Sequence, residues 1–180
     1  MQPAATEIGP PGRDEAAPYY FRYIDRIASG DIVGVLEAQL NETLPFLRGI
    51  SEERSLYRYA PEKWSVRQVL GHLNDTERLF AFRAFWFARG LDSALPSFDE
   101  NVSADASGAD GAPWARHVDE FESVRRATLA LFRGLPAEAW SRRGVASDNP
   151  FSVRALAYIT AGHLVHHLDV LRERYGTGGG

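Results

Sequence analysis

The chain has 180 residues, 44% of them hydrophobic, which is the length of one domain with enough apolar side chain for a core. Its formal net charge is −4 and no block of clustered Lys or Arg stands out, so neither a nucleic-acid nor an anionic-membrane partner is expected. There is no cysteine, which excludes disulfides, thiolate nucleophiles and Cys-ligated zinc and leaves His, Asp and Glu as metal ligands.

Residues 1–18 are rich in Pro, Gly, Ala and charge and read as a disordered tail. They hold no apolar run of signal-peptide length. The aromatic run Leu79 to Ala88 contains Arg83 and is too short to span a bilayer. A cytoplasmic protein is therefore expected, with its folded body over residues 19–175 and a flexible tail over 176–180.

Tyr19 to Ile27 is an aromatic piece that adds a turn or two of helix. The first long helix runs from about Asp31, its N-cap, to Leu47, with Ile32, Val35, Leu36, Leu40, Leu44 and Leu47 at helical spacing. The second runs from Ser65 to about Arg89. Ser65 and Gln68 form a capping box at its start, and Gly90 is a C-cap candidate. Asp99 to Gly111 is polar and rich in small residues, hence a loop. The third helix runs from about Pro113 to Phe132, and Pro136 to Trp140 adds one more turn. The fourth runs from Ser152, its N-cap, to Tyr175, with Gly176 as terminator. No alternating strand pattern is found. The fold expected is all-α, a four-helix bundle of up-down type with a long crossover loop.

Helical phase sorts the five histidines, at roughly 100° per residue. In the fourth helix, Val153, Leu156, Thr160, Leu164, Leu168, Leu171 and Tyr175 form an apolar stripe centred about 80° from His163. His163 lies at the stripe edge, His167 well inside it, and His166 towards solvent. The i, i+4 spacing sets His163 and His167 on one face, the arrangement by which helical histidines share a metal ion. In the second helix, His72 holds the same edge position relative to Val66, Val69, Leu73, Phe80, Ala84 and Phe87. Thr76 and Arg83 lie on its side of the stripe. A lone buried His is more often a hydrogen-bonded core residue. Three phase-matched imidazoles converging between neighbouring helices instead predict a metal site with an open fourth position. His117, beside Asp119 and Glu120, reads as a surface residue.

Two further residues are candidates for the chemistry. Asp75, off the stripe edge, is a possible acceptor for a ligand N–H or a general base, or else a solvated charge. Arg83 either binds an anionic substrate group or pairs with a carboxylate in the bundle. Phe82, Phe85 and Trp86 fall outside the apolar stripe, which predicts either a homodimer interface or a cover from the N-terminal aromatics.

The stretches Trp64-Ser-Val-Arg-Gln-Val-Leu-Gly-His72-Leu-Asn-Asp-Thr-Glu-Arg and Ala161-Gly-His163-Leu-Val-His-His167-Leu-Asp-Val-Leu resemble the two signature segments of the DinB superfamily, the YfiT-like bundles. Tyr23-Ile-Asp, Ser97-Phe-Asp-Glu-Asn101 and Trp140-Ser-Arg-Arg-Gly144 extend the likeness over about Tyr19 to Tyr175. The resemblance implies a divalent metal, usually zinc or nickel, on His72, His163 and His167. It also implies a small-molecule substrate and one of two activities. The first is S-transfer with a low-molecular-weight thiol such as bacillithiol or mycothiol, and the second is metal-dependent hydrolysis. A non-catalytic metal-binding stress protein and a metal-free structural bundle with hydrogen-bonded histidines are the remaining alternatives. The resemblance assigns no role to Asp99 or Asn101.

Overall fold

In the computed structural model, which describes residues 8–28 and 30–177, a 3-10 turn (Pro18–Tyr20) runs into the one-turn helix α1 (Phe21–Ile24). Asp31 accepts a hydrogen bond from the Gly34 N–H and opens α2 (Ile32–Arg48). Ser51 caps the short α3 (Glu52–Ser55) in the same way. At α4 (Val66–Ala88) the capping box forms in both directions: Ser65 Oγ accepts from the Gln68 N–H at 3.0 Å and Gln68 Oε1 from the Ser65 N–H at 3.1 Å. α6 (Trp114–Arg133) starts behind Pro113, and α7 (Val153–Tyr175) runs from a Ser152 cap to Gly176, whose φ of 60° is the left-handed C-cap.

α4 lies between α6 and α7, and α2 closes the ring by packing on α6 and α7. α2 and α4, consecutive bundle helices, therefore stand diagonally, as do α6 and α7, and residues 49–65 and 134–152 carry the chain across. The core joins Leu36 and Leu47 of α2, Leu70 and Phe87 of α4, Phe121 and Phe132 of α6, and Leu156 and Leu171 of α7, all at most 2% exposed. One polar network crosses it. Arg125 of α6 donates to both carboxylate oxygens of Glu77 on α4 at 2.7 and 2.9 Å, and to Leu36 O and Gln39 Oε1 on α2. Gln39 in turn donates to Ala161 O on α7, two residues before His163.

Three segments differ from expectation. Asp99 to Gly111, read as a loop, holds the helix α5 (Glu100–Ala106), opened by Asp99 as it accepts from the Asn101 and Val102 N–H groups. A hairpin, β1 (Arg143–Ala146) with β2 (Asn149–Ser152), was missed because its turn carries no glycine. Ser147 and Asp148 adopt φ of 50° and 58°, the left-handed pair that a two-residue hairpin turn requires. Residues 8–18, placed in the tail, are packed. Glu15 is 3% exposed and accepts from Arg154 and the Gly12 N–H, Tyr158 Oη donates to Ile8 O, and Ala16 bridges Phe151. A buried carboxylate with a guanidinium partner anchors that segment. Residues 1–7 and 178–180, the rest of the expected tails, lie outside the described residues. No helix among the described residues is long and apolar enough to cross a membrane.

Candidate metal centre

His72 sits in the second turn of α4, and His163 and His167 sit one turn apart on α7, the helix packed against it. The ring nitrogens converge. His163 Nε2 is 3.1 Å from His72 Nε2 and 3.1 Å from His167 Nε2, and the three donor atoms lie within 4.8 Å of one another. Two nitrogens each about 2.0–2.1 Å from one tetrahedral ion stand roughly 3.3 Å apart, so the spacing suits a shared divalent cation. Burial holds His72 at a pKa of about 4 and His167 at about 3, and pushes His163 well below its ordinary value; neighbouring imidazoles push the same way. All three rings are therefore neutral at pH 7, the form that binds metal. His72 Nδ1 lies 3.3 Å from Thr76 Oγ1, so a proton on Nδ1 is held by the hydroxyl and the Nε2 lone pair faces the cluster.

Aromatic rings enclose the centre. Trp64 stands 5.0 Å from His72, and Tyr23 and Phe80 stand edge-on to His163 at 5.2 and 5.9 Å. Tyr23 reaches His163 because α1 packs on α7 at Gly162, where any Cβ would lie 2.0 Å from the Tyr23 carbonyl oxygen. His166 is half-buried rather than solvated and stacks edge-on against Tyr23 and His167, outside the cluster. His117, expected at the surface, is 6% exposed, with Nε2 at 2.9 Å from Ala109 O. Its phase with Trp114, Phe121 and Val124 outweighs the acids beside it.

Two cavities meet the cluster. The first, about 250 Å³, reaches His163 and is lined by Thr76, Phe80, Arg83, Phe98, Glu100 and Ser147 together with Tyr19, Tyr20 and Tyr23. The second, about 240 Å³, reaches His167 and is lined by residues that include Trp64, Lys63, Asn101 and Tyr175. Adjacent residues of α5 thus serve different cavities, which gives Asp99 its place as the cap that fixes Glu100 and Asn101. Arg83 is in the site. Asp75 is not brought there. Its carboxylate accepts from Ser103 at 3.1 Å and Arg78 at 3.4 Å and lines a separate depression with His117. The tyrosines of the first cavity, Glu100 and Ser147 were missed as site residues. Gly162 beside His163 was the available signal for the tyrosines, since a glycine inside a helical pattern marks close approach.

The profile of the DinB superfamily matches residues 36–171. No curated protein matches the chain. Among solved structures, YfiT from Bacillus subtilis, described as a probable metal-dependent hydrolase with an unusual four-helix bundle topology, superposes with a TM-score of 0.68 at 18% identity over 93% of this chain and 94% of its own. A DinB-like protein of Bacillus subtilis, YjoA, superposes with a TM-score of 0.57 at 18% identity over 81% of this chain and 90% of its own. Likeness at that identity is likeness of fold.

Proposed function

The chain belongs to the DinB superfamily, and from that premise we propose that it is a metal-dependent enzyme that transfers a low-molecular-weight thiol onto a small electrophile. The observation that supports the reading is the meeting of two separate cavities at one cluster of three neutral imidazoles that no carboxylate joins among the described residues. Two cavities suit two substrates. A divalent ion, zinc or nickel, would be held by His72, His163 and His167 and would supply Lewis-acid chemistry that lowers the pKa of a thiol or water bound to it. With the thiol ionised in that way, no side-chain base is required, which fits the remote position of Asp75. The thiol gives its proton to solvent, the sulfur–carbon bond forms as the carbon–leaving-group bond breaks, and the leaving group departs with its bonding pair. Thr76 orients His72, and the tyrosines line the first cavity beside His163.

Hydrolysis is the second reading, favoured by the fold shared with YfiT; Glu100, in the first cavity, is the carboxylate placed to accept a proton from water. A cytoplasmic location and a homodimer belong to the same proposal. Phe82 and Phe85 are 47% and 38% exposed on α4, while the N-terminal aromatics pack on α7 and leave them uncovered. A monomer in sedimentation equilibrium removes the dimer. The function is tested with untagged, metal-loaded protein, monochlorobimane, and bacillithiol, mycothiol or glutathione. Thiol-dependent conjugation that disappears in His163→Ala supports transfer. Thiol-independent cleavage of a small ester or amide moves the assignment to hydrolysis. Absence of both activities from metal-bearing protein contradicts an enzyme.

A further inference from the structure

Arg67, Arg83 and Arg125 are 4%, 2% and 0% exposed. Arg67 pairs with Glu52 and Arg125 with Glu77. Arg83 meets no carboxylate within ion-pair distance among the described residues. Its Nη2 donates to Pro96 O at 3.1 Å and to Ser147 Oγ at 2.8 Å, and its buried Nε has no partner. A guanidinium withdrawn from water without a counter-ion is costly to keep, and burial lowers its pKa accordingly. This cation lines the same cavity as His163.

The surroundings are arranged for an anion. Phe151, fully buried, lies 6.0 Å from the guanidinium carbon and supports it from one side. Ser147 sits in the left-handed hairpin turn, so the backbone presents its hydroxyl. While Oγ accepts from Arg83, its own proton is free to be donated. The Tyr20 hydroxyl stands beside the guanidinium. One cation with neutral hydroxyl donors suits a monoanion better than a phosphate dianion. The other walls include the rings of Tyr23, Phe80 and Phe98, and a volume of about 250 Å³ falls below the usual range for ligand pockets.

We propose that the first cavity takes a small carboxylate with a flat apolar body, its carboxylate on Arg83 and Ser147 and its other end at the three-histidine centre. The assignment names the substrate class for the function proposed above and rests on that reading for the reacting end; the binding of the anion does not require the metal. Glu100, exposed, is the one carboxylate among the residues lining that cavity, and its charge opposes an anion there.

The test is calorimetric titration of the untagged full chain, stripped of metal, with phenylacetate and with its neutral isostere phenylacetamide. Phenylacetate is expected to bind at least about tenfold tighter, as a charge-assisted fork of hydrogen bonds predicts. Arg83→Met is expected to abolish that preference. Ser147→Ala, which keeps the cation, is expected to reduce it severalfold and serves if the arginine variant does not fold. Glu100→Gln is expected to tighten phenylacetate by removing the opposing charge. Equal affinity for acid and amide, or no binding of either up to tens of millimolar, overturns the proposal. Zinc uptake is measured on the same preparation. A protein that prefers the carboxylate and takes up no zinc keeps this site and loses the proposed function. A protein that takes up zinc without the preference loses only this inference.

Discussion

Gly162→Ala is expected to loosen the aromatic wall while leaving the three ligands in place. The new Cβ would lie 2.0 Å from the Tyr23 carbonyl oxygen and 2.5 Å from its carbon, against 3.4 Å for ordinary contact. The backbone of α1 must retreat by more than an ångström, because a carbonyl cannot rotate aside as a long side chain can. Two effects oppose each other. Ala in place of Gly inside a helix gains up to about 1 kcal/mol. Overpacking against fixed backbone costs about 1–3 kcal/mol, and the severity of this overlap puts the cost at the upper end. The net loss is about 1–2 kcal/mol, rising if α1 detaches and exposes Phe21, Tyr23 and Ile24, at roughly 2 kcal/mol for each. For a chain of this size that is a fall in Tm of about 2–8 °C. His72 and the α7 histidines stay where they are, so zinc uptake is expected to match that of wild type, while phenylacetate binding is expected to weaken. The assay is thermal unfolding with metal analysis on the same sample. An unchanged or raised Tm refutes the claim that Gly162 is there to admit α1.

Glu77→Ala leaves Arg125 buried without its partner and is expected to cost about 3–5 kcal/mol by urea unfolding, whereas the double replacement Glu77→Leu with Arg125→Met is expected to recover most of it. A single variant within about 1 kcal/mol of wild type would contradict the network's role in tying the helices together. Thr76→Val removes the hydroxyl that holds His72 Nδ1 and is expected to weaken zinc binding by about tenfold in a competition titration, with little change in stability. In metal-free protein, His72 and His167 charge less readily folded than unfolded, so the unfolded chain gains protons first as pH falls through 6.5. The imidazole contribution is then constant above about pH 7.5 and lost as pH falls from 6.5 through about 4 for His72 and about 3 for His167, by about 2 kcal/mol for each ring at pH 5. Burial opposes ionisation of Glu15, but Arg154 and the other donors outweigh it and hold the carboxyl near a pKa of about 2, so its contribution is lost only below about pH 4.5 and the decline between pH 7.5 and 5 belongs to the imidazoles. Urea unfolding of chelated protein at pH 7.5, 6 and 5 would contradict this by showing no decline.

The bundle and the convergence of its three histidines were legible because each rests on a strong local rule. The Ser65–Gln68 box, the Asp31 and Ser152 caps and the Gly176 terminator fixed helix ends, and helical phase chose His72, His163 and His167. What escaped depends on weak or distant signals. α5 is seven residues of mostly polar or small side chains, readable only through its Asp99 cap. The hairpin uses Ser147 and Asp148 where glycine would have announced a turn. Arg83 was chosen for its phase, but its lack of a carboxylate emerges only when Pro96 and Ser147, remote in sequence, arrive beside it. Phase set Asp75 off the stripe, and the structure engages it with Ser103 and Arg78 instead of the centre.

Elemental analysis by mass spectrometry tests the central claim most directly, on untagged wild type and His163→Ala incubated with zinc or nickel and then desalted. The account predicts about one divalent ion per chain in wild type and its loss in the variant. A wild type that retains no ion, or a variant that retains as much, would contradict it.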